Sequence, residues 1–172
     1  DPKKRKTIFD LFPKNIPRTI SIGRLDFMSE GLILLTNNGD FARRLELPNS
    51  NILRVYRVCV AHKIDEEQIK KINNGITING ILYNKVKVRK EKIKKNKTWI
   101  KFNLKEGKNR EIRNICKYFE WPIHKLIRLQ YGSIKLMKEK PGQIIEIPII
   151  PKDLLWLILL EALKKELKYM YL

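Results

Sequence analysis

Cysteine and histidine are scarce in this sequence, with two of each among 172 residues. Neither cysteine belongs to a C-x-x-C pair, so a disulfide framework is not expected and a reducing compartment fits best. Cys59 lies in an alternating strand pattern and Cys116 in an apolar helical stripe, and cysteines in such positions are usually small buried hydrophobes. His62 and His124 could complete a Cys/His metal set with them, but these placements disfavour it, and we expect no metal site.

Long apolar runs are also missing. The longest covers residues 154–160 and is followed at once by Glu161, whereas a membrane-spanning helix needs about 20 apolar residues. The basic N-terminal DPKKRK does not lead into the apolar run of a secretory signal. We therefore expect no membrane partner and a location in the bacterial cytoplasm or an organellar matrix. An interfacial membrane helix remains the alternative for the last residues.

The first residue is Asp rather than Met. This indicates an N-terminus that is processed, truncated or incompletely represented, and we expect something upstream to be missing.

Acidic residues are few relative to basic ones. The chain has 37 Lys and Arg against 18 Asp and Glu, a net charge of +19, which indicates a polyanionic partner. With 43% hydrophobic residues and 3 Trp, the sequence has enough apolar material for a core. The charge is therefore expected on a folded domain rather than on a disordered tail.

Hydrophobic periodicity predicts a mixture of strands and helices. An apolar run predicts a strand over residues 32–35, after which Asp40 is expected to cap a helix that continues through Leu45. Residues 54–60 alternate and predict a strand that presents Tyr56 on one face. Further strands are predicted over residues 20–22, 85–89, 99–104 and 124–136, the last with a bend at Gly132. Further helices are predicted over residues 65–73, between Gly107 and Pro122, and over residues 151–172.

This mixture of elements, with several apparent hairpins, predicts the α+β class. We expect one domain over residues 1–150. The C-terminal helix over residues 151–172 is expected to begin at Asp153 as its N-cap, and to pack on the domain or extend from it.

The helix after Gly107 is the most amphipathic element. Its apolar residues recur at spacings of three, one and three from Ile112 to Phe119, which is the stripe of a helix packed on a core. Three cations fall on nearly the opposite side, namely Arg110, Arg113 and Lys117.

Three motifs occur in order along the chain. GRLDFMSEGLILLTNNG covers residues 23–39, EGKNREIRNI begins at Glu106 and KLIRLQYGSIKL begins at Lys125. Together with VYRV at residues 55–58, they resemble the signature of RsuA-type pseudouridine synthases. The usual family forms are GRLD followed by Thr-x-Gly-Leu-Leu-Leu-Leu-Thr-Asn-Asp-Gly, then G-K-N-R-Q-I-R-R-M, then L-x-R-x-x-x-G.

This resemblance implies the pseudouridine synthase fold, a mixed and mostly antiparallel sheet in a bilobed catalytic domain with the active-site cleft between the lobes. It also implies an enzyme that isomerises uridine in RNA without a cofactor. Many family members carry a small RNA-binding domain before the catalytic domain, and this sequence does not include one.

The resemblance assigns a role to each of four residues. Asp26 is implied to be the nucleophile of a covalent mechanism, and a cation beside it favours its ionised form. Arg113 is implied to be that cation, Tyr56 to lie against the base and take the carbon 5 proton, and Leu126 to shape the pocket. Each residue also has an alternative interpretation that needs no catalysis. Asp26 would be a turn or cap residue and Tyr56 a packing residue, while Arg113 would be a solvated or phosphate-binding cation and Leu126 a core residue.

Further residues are expected to contact RNA. Five should bind phosphates and sugars around the flipped base, namely Arg24, Lys108, Asn109, Arg110 and Arg128. The lysine-rich residues 85–97 are expected to contact RNA, with a solvated hairpin as the alternative. DPKKRK is expected to be a phosphate-binding arm, with a nuclear signal as the alternative.

Four positions depart from the family pattern. Ser29 replaces the usual Thr, Asn38 the usual Asp, Glu111 the usual Gln and Asn114 the usual Arg. Ser29 keeps the hydroxyl, but Glu111 adds a negative charge to a segment expected near RNA.

The expected partner is ribosomal RNA or a ribosome assembly intermediate, with no obligate protein partner. IFDLFPKNIPRTISIGRLD resembles large-subunit modifiers slightly more than small-subunit ones. The alternatives are a catalytically silent RNA-binding assembly factor on the same scaffold and a small structural protein of the ribosome. Asp26, Tyr56 and Arg113 favour the enzyme, because a binding protein needs a basic surface but not that set.

Overall fold

The computed structural model describes residues 7–13, 16–84, 86–94, 97–147 and 169–171. Its helices are α1 Gly39–Glu46, α2 Glu66–Asn73 and α3 Glu111–Tyr118, with short 3₁₀ helices at Ile8–Leu11 and Pro48–Ser50. Its strands are β1 Ile20–Ile22, β2 Glu30–Gly31, β3 Ile33–Thr36, β4 Arg54–Val60, β5 Ile76–Ile78, β6 Ile81–Tyr83, β7 Val86–Lys94, β8 Lys97–Leu104, β9 Ile123–Tyr131, β10 Ile134–Lys135, β11 Ile144–Glu146 and β12 Tyr169–Tyr171.

The strands form three sheets. The central sheet has the order β10-β9-β4-β8-β7, with β2 added beside β9. A smaller sheet has the order β1-β3-β12-β11, and β5 pairs with β6. Within the described residues the pairing of β2 with β9 is parallel and the others are antiparallel. The architecture is therefore the mixed, mostly antiparallel α+β arrangement that the sequence predicts.

Strand β4 lies in the middle of the central sheet and carries Tyr56. Tyr56 is opposite Phe102 on β8 and Arg128 on β9, and Val58 is opposite Leu126. The register with β9 shifts immediately before Tyr56, and such bulges commonly re-aim side chains next to functional sites. The sheet thereby presents Tyr56, Leu126 and Arg128 on one face.

Among the described residues, two large hydrophobic clusters form most of the core. One lies between the central sheet and helices α2 and α3 and includes Phe102 and the predicted stripe residues Ile112, Ile115 and Cys116. The other joins the small sheet to α1 and to the end of β9. The molecule is thus bilobed in its packing, as predicted, and the space between the two clusters is available for a site.

The predicted cap of α1 is wrong. The helix begins at Gly39, and its N-cap is Asn38, whose Oδ1 accepts the N–H of Phe41 at 2.9 Å. Asp40 lies inside the first turn instead, where an acidic side chain still favours the helix dipole. Helix α2 lies within the predicted residues 65–73, and Asp65, expected inside the helix, is its N-cap in a capping box.

Two other regions differ from the sequence-based picture. The predicted bend at Gly132 is a complete reversal, because β10 folds back antiparallel onto β9 and Gly132 has a φ of 60°. At the C-terminus, Tyr169–Tyr171 form strand β12 between β3 and β11 rather than the end of a helix. The rest of the predicted C-terminal helix, with its cap Asp153, lies outside the described residues, as does the DPKKRK segment.

We predict that Gly31→Ala will destabilise the fold far more than Gly80→Ala. Both glycines have positive φ, 102° and 78°, but a Cβ at Gly31 would lie 2.3 Å from the carbonyl oxygen of Arg128, whereas nothing lies within 4 Å at Gly80. The shared backbone strain is worth about 1 kcal/mol, and the clash should bring the loss at Gly31 to about 3 kcal/mol or more. Urea unfolding of both variants measures this. Equal losses would show that β2 does not need its close approach to β9.

Candidate active site

The residues singled out from the sequence line one cleft of about 830 Å³, within the size range of ligand pockets. One wall is the loop between β1 and β2, the opposite wall is α3 with the loop before it, and β4 and β9 form the floor. Every candidate is present in the lining: Arg24, Asp26, Tyr56, Lys108, Asn109, Arg110, Arg113, Leu126 and Arg128.

Asp26 lies in the loop over residues 23–29. At the start of the loop, the N–H of Gly23 donates to Glu46 Oε1 at 2.6 Å. Beyond the end of the loop, the N–H of Leu32 donates to the carbonyl of Arg128 at 2.9 Å. The N–H of Ser29 donates to the Asp26 carbonyl at 2.8 Å and closes a turn. The Asp26 side chain remains 29% exposed, so a carboxylate oxygen is open to the cleft.

Arg113 reaches across the cleft from α3 and binds this turn. Its Nε donates to Asp26 Oδ2 at 3.1 Å, and its Nη2 donates to the Met28 carbonyl at 2.7 Å and to Ser29 Oγ at 3.0 Å. The predicted contact between Arg113 and Asp26 is therefore present. The hydroxyl that Ser29 keeps at the usual Thr position is one of the acceptors, which explains why this exchange preserves the contact.

Arg110 is a second cation beside the carboxylate. Its Nη1 lies 3.6 Å from Asp26 Oδ2, and its side chain is 55% exposed. The residue is the N-cap of α3 and has a left-handed backbone, with φ 50° and ψ 29°. The sequence assigned Arg110 to phosphates alone, whereas the structure gives it a weaker contact with Asp26 as well.

Tyr56 and Leu126 form part of the floor. Leu126 is buried in the cluster beneath the central sheet, and Tyr56 is half-buried and packs against the same cluster. Both side chains also line the cleft, so their packing in the core does not remove them from the site, and their predicted roles stay predictions.

Arg54 is a buried cation that sequence analysis missed. Its Nη2 donates to Tyr131 Oη at 3.0 Å and to the Leu45 carbonyl at 3.3 Å, and the Tyr131 hydroxyl donates to the same carbonyl at 3.0 Å. Burial raises the pKa of Tyr131, so the phenol keeps its proton at neutral pH. Strand alternation could have revealed Arg54, because it lies two residues before Tyr56 on the same face of β4.

Arg128 is only 2% exposed, and it lines the cleft from β9. RNA contact by this residue stays a prediction. Its Nε donates to the Leu32 carbonyl at 2.6 Å, while Nη2 has no hydrogen-bond partner in the described part of the chain. In this structure Arg128 fastens the end of the Asp26 loop to β9.

The loop before α3 is organised by Glu111. This carboxylate is buried, and its Oε2 accepts the N–H of Lys108 at 2.9 Å. Burial raises the pKa of Glu111, and the hydrogen bond from Lys108 opposes that shift. Glu111 also lines the cleft, and its hydrogen bond with Lys108 holds the loop that carries Asn109 and Arg110.

The other cations expected to bind RNA differ in their exposure and in their contacts within the chain. Arg24 is exposed at the cleft, whereas Lys108 Nζ donates to Glu106 at 2.7 Å and to the Leu82 carbonyl at 2.8 Å. In the lysine-rich β7–β8 hairpin, Lys90 pairs with Glu66 at 2.6 Å. RNA contact by this hairpin stays a prediction.

The cysteines are buried free thiols, and burial raises the pKa of Cys116 to about 12. Among the residues that the structure describes, no group of three or more His, Cys, Asp or Glu side chains could hold a metal ion. No helix in this part of the chain is long and apolar enough to cross a membrane.

Comparison with known proteins identifies the family. Residues 1–118 match the model of the RNA pseudouridylate synthase family, and the chain belongs to that family. A crystal structure of a pseudouridylate synthase superposes with a TM-score of 0.71 at 23% identity, covering 80% of this chain and 60% of that one. The fold is therefore the pseudouridine synthase fold, as predicted.

Several similar proteins have names that are more specific than the family. The chain is 47% identical to an uncharacterised RNA pseudouridine synthase of Rickettsia typhi, over 86% of this chain and 60% of that protein. It is 39% identical to ribosomal large subunit pseudouridine synthase B of Buchnera aphidicola, over 80% and 56%, and 34% identical to the Yersinia pestis protein of that name, over 82% and 45%. The chain thus spans about half to three fifths of the length of these relatives.

We predict that Arg113→Lys will lower the free energy of unfolding by about 1–2 kcal/mol, because an ammonium cannot replace the forked contacts with the turn. Arg110→Lys is the matched control and should stay within about 0.5 kcal/mol, since its contact is long and exposed. Urea unfolding measures both values. Amide exchange at Ser29 should also accelerate in Arg113→Lys alone, and an unchanged rate there would contradict the proposed hold on the turn.

Proposed function

We propose that this chain is the catalytic part of an RNA pseudouridine synthase that isomerises a uridine in large-subunit ribosomal RNA. The observation that carries the proposal is the Asp26 carboxylate, open to a basic cleft and held by Arg113 from the opposite wall. Family membership supports the reaction, and the names of the relatives support the substrate.

The reaction is an isomerisation that rearranges bonds within the substrate. The bond between nitrogen 1 of uracil and carbon 1′ of ribose breaks, the ring turns, and carbon 5 bonds to carbon 1′. Carbon 5 loses a proton and nitrogen 1 gains one, so the product has the same atoms as the substrate and no oxidant or reductant is consumed. A protein nucleophile divides this exchange into easier steps.

The roles follow from position in the cleft. A carboxylate oxygen of Asp26 bonds to carbon 1′ of the ribose as the bond from carbon 1′ to nitrogen 1 breaks, and the bond to Asp26 breaks again when carbon 5 bonds to carbon 1′. Arg113 orients the carboxylate. Tyr56 projects from β4 toward the bound base and takes the proton from carbon 5. Leu126 supplies an apolar surface that limits where the ring can turn.

RNA binding rests on the cations around the opening. Arg24 and Arg110 are exposed there and reach backbone phosphates, and Asn109 contacts sugar or phosphate from the loop that Glu111 holds. The net charge of +19 adds the nonspecific attraction that brings the polyanion to the cleft. The proposed partner is ribosomal RNA or an assembly intermediate, in the bacterial cytoplasm or an organellar matrix.

We predict that Asp26→Asn will form no pseudouridine while its dissociation constant for RNA changes by less than about threefold. The amide keeps the shape of the side chain but has no nucleophilic oxygen anion. The assay is chemical mapping of pseudouridine in an unmodified large-subunit ribosomal RNA transcript, treated with the chain and no additive.

Asp40→Asn is the control, since Asp40 is exposed on α1 and does not line the cleft. It should retain the wild-type rate. Product formation by Asp26→Asn would overturn the nucleophile assignment, and no product from the wild-type chain would overturn the proposed function.

A further inference from the structure

The face of the central sheet that points away from α2 and α3 carries a row of cations. Arg57 on β4 is opposite Lys101 on β8, and Lys101 is opposite Arg89 on β7. The next residues along the strands, Val58 and Phe102, pack in the cluster beneath the helices. Because side chains alternate between the two faces of a strand, these three residues, called the cation row, lie on the outer face.

The cation row is unfavourable for the sheet by itself. Neighbouring strands are about 4.8 Å apart, and like charges directly opposite each other destabilise a sheet. Glu91 is the one acidic residue of β4, β7 and β8, and its Oε2 accepts from Arg57 Nε at 2.7 Å. Among the ion pairs of the described residues, Lys101 and Arg89 have no carboxylate partner. The row therefore needs an anion that the chain does not supply.

The surroundings of the row are basic and accessible. Lys92 on β7 is opposite Trp99 on β8, which lies two residues before Lys101 and so on the same face. Both Lys92 and Arg89 are exposed, and the Arg57 guanidinium lies 4.5 Å from the centre of the Trp99 ring. A shallow depression of about 450 Å³ lies at this surface. An extended anion can thus approach the row from solvent.

RNA suits this surface better than an acidic protein does. Its backbone carries one negative charge at each nucleotide, so a single strand can meet several neighbouring cations and release their counterions. Contacts of Lys and Arg with phosphates position an RNA without reading its sequence. The proposed function already brings such a polyanion to the chain, whereas a protein would have to present carboxylates in a matching row.

The row and the cleft lie on opposite faces of the central sheet. Tyr56 and Leu126 line the cleft, whereas Arg57 and Ile127, which follow them in sequence and are paired with each other, point the other way. A compact RNA fragment bound in the cleft therefore cannot also cover the row.

We propose that the cation row binds the phosphate backbone of a second segment of the substrate RNA, separate from the segment that enters the cleft. This inference rests on the proposed function for the choice of RNA and extends it to a second contact surface. The row contributes affinity rather than chemistry, since it lies away from the target uridine.

The test compares two double variants on the unmodified large-subunit ribosomal RNA transcript. Arg89→Gln with Lys101→Gln removes two charges from the row. Lys70→Gln with Lys71→Gln is the matched control, because both lysines are exposed in the last turn of α2. The row variant should bind roughly tenfold more weakly than the control. Its slope of log affinity against log salt should be smaller by about 1.4 to 1.8, the value for two phosphate contacts.

The length of the RNA then separates a second surface from an effect on the cleft. Once the wild-type chain has marked the target uridine, the variants are compared on a minimal fragment that carries it. The row variant should bind this fragment within about twofold of wild type and form pseudouridine at the same single-turnover rate at saturating RNA. It should also resist urea at least as well as wild type, because the repulsion between the strands is relieved.

Three outcomes would overturn the inference. The first is a row variant that binds the transcript like the control, and the second is an equal loss of affinity on the minimal fragment. The third is weaker binding to polyglutamate with unchanged binding to the transcript, which would assign the row to an acidic protein. The transcript comparison needs no turnover, so a wild-type chain that forms no pseudouridine would remove the proposed function while the first outcome still decides the row.

Discussion

The contact between Arg113 and the turn that carries Asp26 is the interaction on which the site depends. The guanidinium of Arg113 donates three hydrogen bonds, to Asp26, Met28 and Ser29. These acceptors lie more than 80 positions before Arg113 in the chain. A planar fork can satisfy three acceptors in fixed directions, which an ammonium does less well. Asp26, the turn that carries it and Arg113 therefore form one unit.

The remaining architecture supplies rigid walls for that unit. The buried stripe of α3 sets the position of Arg113, and the parallel pairing of β2 with β9 sets the end of the Asp26 loop. Arg128 and Arg54 lie beneath the cleft and hold backbone carbonyls of Leu32 and Leu45. Buried cations of this kind fix geometry, because moving either one would leave a charge without its acceptors.

Much of this was predictable from the sequence, because alternation and helical periodicity report directly on burial. Strand β4 and the stripe of α3 follow from such patterns, and the motifs led to the residues of the cleft. The cap of α1 was missed because Asn38 and Asp40 are both good caps and only the chain path selects one. The buried positions of Arg54, Arg128 and Glu111 depend on strand register and packing, which sequence patterns do not reveal for single charged residues.

The most direct test of this account is the single-turnover rate of pseudouridine formation at saturating RNA, measured for Arg113→Lys and Arg110→Lys together with their RNA dissociation constants. The account predicts that Arg113→Lys loses about 10- to 100-fold in rate with little change in affinity, because the carboxylate is no longer held for attack. Arg110→Lys should lose only a few-fold. Equal losses confined to affinity would contradict it, since Arg113 would then be one phosphate-binding cation among many.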